Sequence, residues 1–176
     1  MASKSLRDLN DLQVTALVQR PKHAQAIGIL TIEISRLERS ISELLGTILG
    51  MHFLLAEAIY FTPNSNIARM DIISNVAPLA LNQHPKKVKR INRFIERAKA
   101  AMGKRHQIIH YFWTLSETGD DIRGEKMGGF RLKTFSLKQL EAQILDVQKL
   151  TTEIYKYCHG FRDEHPKDIR PLREYW

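Results

Sequence analysis

Apolar residues recur at spacings of three and four along most of the chain, the period of a helix that turns one face to a core. Between Ser5 and Gln19 the pattern is Leu6, Leu9, Leu12, Ala16 and Leu17, and Pro21 ends it. From Ile27 to Gly46 the apolar positions are Ile27, Leu30, Ile34, Leu37, Ile41, Leu44 and Leu45, while Glu33, Arg36, Arg39 and Glu43 mark a polar face. Thr47 to Phe61 is so apolar that burial on most sides is expected, with Gly46 and Gly50 permitting a kink or close packing. The FTPNSN run at 61–66 reads as a turn, and a helix is expected from Ile67 to Leu81 with Asn66 as its N-cap.

The pattern then predicts one long helix from Pro85, a residue suited to the first helical position, to Leu115. A seven-residue repeat gives the seam Val88, Ile91, Ile95, Ala98, Met102, Arg105, Ile109 and Phe112. Arg105 alone breaks it. A seam arginine is destabilising unless it is paired or faces a polar cleft, and local rules tend to fail at functional sites. The polar, Gly-rich passage 116–129 follows. Phe130 to Phe135 then alternates as a short β-hairpin or extended arm, and Ser136 with Gln139 forms a capping box opening a last helix to Phe161. The fold class is all-α, a helical bundle with that short arm. A helical arm at 1–21, a bundle at 22–165 and a tail at 166–176 complete the division.

Charge adds a location. The chain carries 27 Lys+Arg against 19 Asp+Glu, a net charge of +8. Between His84 and Arg105 stand nine cations and only Glu96, so this stretch holds the entire excess. Such a concentration attracts phosphate polymers, although a charge run is more often a solvated helix face. Lys86, Arg90, Arg93 and Arg97, at i, i+4, i+7 and i+11, with Lys104 beyond them, are the candidate nucleic-acid contacts. The one cysteine, Cys158, excludes an internal disulfide framework and a multi-Cys zinc site, and it fits the closing helix as a buried small residue. The N-terminus lacks a signal-peptide core, and the longest uncharged apolar stretch, Leu44 to Ala56, is 13 residues. That is short of the roughly 18–20 residues needed to span a bilayer. A cytoplasmic protein without a membrane partner is the expectation.

Glycine-rich nucleotide loops, HExxH and repeated Glu-x-x-His units are all missing from the sequence, and no cofactor or metal is expected. The segment left is Gly103-Lys-Arg-His-Gln-Ile-Ile-His-Tyr-Phe-Trp113. Three readings of it stay open. His110 and Trp113 are packing residues with Arg105 paired to an acid; or His106 and His110, one turn apart, begin a metal site whose other ligands are not in view. In the third, a histidine moves protons at a phosphodiester while an arginine stabilises charge on the phosphorus oxygens.

This segment resembles the Arg-x(4–6)-His motif of the HEPN superfamily (higher eukaryotes and prokaryotes nucleotide-binding). The similarity extends to the RN-x-x-x-H-x-x-W version of bacterial HEPN-like proteins and to the order of elements from Ile27 to Phe161. His106 stands where Asn or Asp is usual, and bulky Tyr111 where a small residue is common. The resemblance implies a homodimer in which two motif helices face each other, with Arg105 and His110 as the catalytic pair and His106 as the supporting polar residue. It also implies a metal-independent endoribonuclease of toxin–antitoxin, defence or RNA-processing systems, RNA as the partner, and in the toxin case an antitoxin that the sequence does not identify. Inactive helical dimers belong to the same family, and a non-catalytic nucleic-acid- or anion-binding module is the alternative.

Overall fold

A computed structural model of the chain describes residues 16–109, 111–116, 119–126 and 132–164. Its helices are α1 (Pro21–Leu49), α2 (Phe53–Phe61), α3 (Asn66–Ala80), α4 (Pro85–Ile109) and α5 (Leu137–Glu164), and a single helical turn at 16–19 precedes α1. Between α4 and α5 lies an antiparallel sheet of β1 (Tyr111–Leu115), β2 (Ile122–Lys126) and β3 (Leu132–Phe135) in that order. This is the expected predominantly helical, bundle-type architecture. Most of the N-terminal arm and the whole 166–176 tail lie outside the described residues.

The chain divides into two compact units. One takes the described residues of Met1–Glu33 and Gly103–Asp146, the other those of Ile34–Met102 and Val147–Trp176. The core of the second is Ile34, Leu37, Ile41, Leu44 and Leu45 of α1 with Met70 and Ile73 of α3, Ile91, Ile95 and Ala98 of α4, and Leu150, Ile154 and Cys158 of α5. Each such isoleucine or leucine, at most 2% exposed, contributes about 1.5–3 kcal/mol relative to an exposed one. The three- and four-residue spacing read from the sequence is thus the pattern of the core.

The apolar stretch 47–61 is two helices. α1 runs on to Leu49 and ends in a Schellman turn. Gly50 adopts φ +63° and the Met51 N–H donates to the Gly46 carbonyl at 3.0 Å. The axis turns by 118° into α2, so both roles expected of the glycines are realised. A Cβ on Gly46 would sit 3.1 Å from Ala56 Cβ and 3.3 Å from the Met51 carbonyl oxygen, so close packing at the corner needs glycine. Burial on most sides does not hold for α2. Ala56 and Tyr60 are buried, but Phe53, Leu54, Leu55, Ile59 and Phe61 are exposed, because a nine-residue helix meets its own chain along one face only. No single described helix is long and apolar enough to cross a membrane.

Ser65, not Asn66, caps α3. Its Oγ accepts from the Ala68 N–H at 3.1 Å, and Asn66 is the first helical residue. The turn before it is held by Arg69, which donates from Nε to the Pro63 carbonyl at 2.9 Å and pairs with Glu38 at 3.3 Å. The capping box at Ser136 forms as expected. Ser136 Oγ accepts from the Gln139 N–H at 3.2 Å and the Ser136 N–H donates to Gln139 Oε1 at 3.1 Å.

The largest departure is the end of the motif helix. The helix stops at Ile109, and 111–115 is an edge strand of the sheet rather than its last turn. The run Ile108 to Thr114 is β-branched and aromatic apart from His110, a composition that favours a pleated surface. Strand pairing satisfies its backbone: Trp113 lies opposite Gly124 and Leu115 opposite Ile122, with Ile122 in turn opposite Phe135. Trp113 is 3% exposed and packs edge-to-face on Phe135, ring centroids 5.3 Å apart.

Candidate nucleic-acid interface

α4 carries the cationic run, and its neighbours sort the cations into classes. Lys86, Arg90, Arg93 and Lys104 are exposed. Arg97 is also exposed, but both of its Nη atoms donate to the Glu153 carboxylate of α5. This contact holds the Glu153 carboxyl below the usual carboxylate range. Lys99 Nζ pairs with Asp71 of α3 at 2.6 Å. Along the helix itself acidic partners are few, but α5 and α3 supply two from elsewhere in the chain. Of the five candidate contacts, Arg97 already has a partner in its own chain.

Lys89 and Arg93 line a cleft of about 500 Å³ against the end of α3. Glu96 is on the same wall, and Asn92 Oδ1 is buried there with no hydrogen-bond partner among the described residues. The nearby acid dilutes the positive field of this part of α4.

The seam behaves as a straight helix demands. Ile91, Ile95, Ala98 and Met102 are buried, but the stripe then passes to Ile108, 1% exposed, while Ile109 is 38% exposed. A strict heptad drifts by about 20° per seven residues around an ideal helix, enough to move the buried position by one. Arg105 consequently lies on the flank of the stripe. It is half-buried, and its Nε is buried with no hydrogen-bond partner among the described residues. A guanidinium N–H left in this state normally lowers stability, since such groups are usually satisfied.

His106 is exposed in the last turn of α4, next to Arg105. His110 lies outside the described residues. The expected helical spacing of His110 and Trp113 does not occur, because Trp113 is on β1 with its ring in the core of the sheet. Among the described residues no group of three or more His, Cys, Asp or Glu side chains could hold a metal ion.

A second histidine environment lies in the same unit as Arg105, at residues the sequence did not single out. Arg20 clamps the β1–β2 turn, donating to the carbonyls of Asp120 at 3.1 Å and Gly119 at 3.3 Å and pairing with the Asp120 carboxylate at 3.5 Å. His23 is 4% exposed beside this clamp, bonded to the Phe135 backbone, with Nε2 buried and unpartnered among the described residues. Burial pushes its pKa below the ordinary 6.5, against the opposing pull of Asp121. Only the folding of the hairpin back to the start of α1 creates this environment, so no local motif announces it.

No protein-family model matches the chain, and no significant similarity is found to a curated protein or to a solved structure.

Proposed function

We propose that this chain is a homodimeric RNA-binding protein of the HEPN-like type that cleaves RNA without a metal ion. The observation that carries the reading is Arg105, a guanidinium whose buried Nε has no partner among the described residues, at the end of a helix that bears the cationic run. A phosphate oxygen would supply the missing acceptor. In the reaction the substrate's 2′-hydroxyl oxygen attacks the adjacent phosphorus and the P–O5′ bond breaks. The products are a 2′,3′-cyclic phosphate and a 5′-hydroxyl. His110 takes the 2′-hydroxyl proton or protonates O5′, Arg105 stabilises the developing charge on the phosphorus oxygens, and His106 serves as the second polar group. Two motif segments, one from each protomer, would bring two arginines together, which favours an anion between them.

The test is cleavage of mixed RNA in EDTA by the wild type, Arg105→Ala and His110→Ala, with end-group analysis. Cleavage by the wild type alone, leaving cyclic phosphate, is the expected result. Activity that survives in His110→Ala, or is lost on chelation, refutes it.

The placement of Trp113 on β1 favours a second reading, because the motif segment does not run on as one continuous helix to its tryptophan. In that reading the same surface is a non-catalytic dimer that binds nucleic acid or another anion. It predicts salt-sensitive RNA binding without turnover, since each phosphate contact releases counterions.

A further inference from the structure

α2 holds a single charged residue, Glu57, and neither lysine nor arginine. At 3.6 residues per turn its side chains sort into two faces. Ala56 and Tyr60 are buried against the chain, and Glu57 lies half-buried beside them. Leu54, Leu55, Ala58, Ile59 and Phe61 fall within an arc of about 160° on the other side, and all five are exposed. Phe53 joins them at the start of the helix. The exposed face is thus wholly apolar, with the exposed polar residues His52 and Thr62 at its two ends.

The large side chains of this face, Phe53, Leu54, Leu55, Ile59 and Phe61, are 37–58% exposed. Side chains of this size present on the order of 200 Å² each when fully free, so together they offer roughly 450 Å² of apolar surface. A patch of that extent on a soluble domain normally has a function. A stable interface buries about 800 Å² on each partner, and in homodimers about 65% of it is apolar. The face of α2 supplies most of the apolar centre that such an interface requires, and its polar ends supply a rim.

We propose that the exposed face of α2 is a self-association surface, paired across a two-fold axis with the same face of a second copy of this chain. The face bears no charge, so its complement is another apolar surface, and under a two-fold axis it is its own complement. Ala58, the smallest of its residues, stands at the middle of the arc, with Leu54, Leu55 and Phe61 one turn away. Two such helices can cross at Ala58 with their axes about 8 Å apart, the leucines of one beside the alanine of the other. Antiparallel pairing also sets opposite ends of the two helix dipoles side by side. A helix built to lie on a lipid surface carries Lys or Arg along its polar face, and α2 has none. The pairing uses no residue of the motif segment 103–113. It stands independently of the nuclease reading and adds a second contact between copies to the one that reading requires.

The test measures the mass of the full chain by light scattering after gel filtration, loaded at about 100 µM, well above a micromolar dissociation constant. Wild type, Ala58→Arg and Leu55→Glu are compared, with circular dichroism as the check on folding. Each substitution should weaken association about a hundredfold or more and halve the mass, because two like charges would be buried facing each other. A second variant needs no disruption. Axes about 8 Å apart leave facing Cα atoms within disulfide reach, so Ala58→Cys should cross-link to its own copy under mild oxidation. Leu79→Cys, exposed on α3, should not, and the native Cys158 is buried. A monomeric wild type overturns the proposal, whether or not it floats with lipid vesicles. So does a wild-type mass retained in Ala58→Arg, or an Ala58→Cys protein that stays uncross-linked. A dimer retained in Ala58→Arg together with RNA cleavage refutes the α2 pairing alone. A halved mass in that variant, with a wild type that never cleaves, refutes the nuclease and leaves the α2 pairing standing.

Discussion

Replacing Arg105 by methionine separates a working arginine from a packing one. The half-buried side chain has an Nε that is buried without a partner among the described residues. Leaving a buried donor unsatisfied costs about 1–3 kcal/mol. Because only part of the residue is buried, the lower end applies, and methionine, which keeps a long unbranched apolar stem, should recover about 1 kcal/mol. For a chain of this length that is a rise in Tm of about 2–4 °C. Thermal unfolding by circular dichroism reads the stability, and the EDTA cleavage assay reads the function. The expected pair of results is a protein as stable as the wild type or more so, with cleavage lost, since methionine cannot donate to a phosphate. An arginine held in a buried ion pair would give the opposite. Losing it would leave an uncompensated charge, destabilising by about 3–5 kcal/mol. A Tm lowered by several degrees, or cleavage retained in Arg105→Met, would show the reasoning to be wrong.

Two glycines in α1 should respond in opposite directions in urea unfolding. Gly28→Ala, where a Cβ meets nothing within 4 Å, should stabilise by about 0.5–1 kcal/mol; Gly46→Ala, which presses on Ala56 and the Met51 carbonyl, should destabilise despite the same gain in helix propensity. Burial lowers the pKa of His23 in the folded state, so the unfolded chain takes up a proton first as pH falls. The stabilising effect is complete above the ordinary value of 6.5 and is lost below it. Tm measured between about pH 7.5 and 5 should therefore fall less steeply in His23→Gln than in the wild type. Ser136→Ala removes the acceptor for the Gln139 N–H at the start of α5 and should destabilise by about 1 kcal/mol, with Thr in its place restoring most of that.

What the sequence determined by itself was local or periodic. Three- and four-residue spacing placed the helices and most of the buried positions, because burial on one face of a helix imposes that period on the chain. Gly50 as a corner, Ser136 with Gln139 as a cap and Cys158 as a buried residue were legible for the same reason: each depends on neighbours within a few positions. The end of α4 was not. An apolar, aromatic run such as 108–113 satisfies a helix seam and a strand equally, and only pairing with β2, supported by Phe135 on β3, decides between them. The state of each cation was likewise a tertiary matter. Arg97 and Lys99 look like their neighbours in the sequence, yet they meet Glu153 and Asp71, residues 56 and 28 positions away. Arg90 instead lies over the rings of Phe94 and Tyr157, the latter on α5 far away in sequence. Charge is written in the sequence, but whether a charge is neutralised depends on what the fold brings close to it, since the attraction of an opposite charge rises steeply at short distance and salt screens exposed pairs beyond about 8–10 Å.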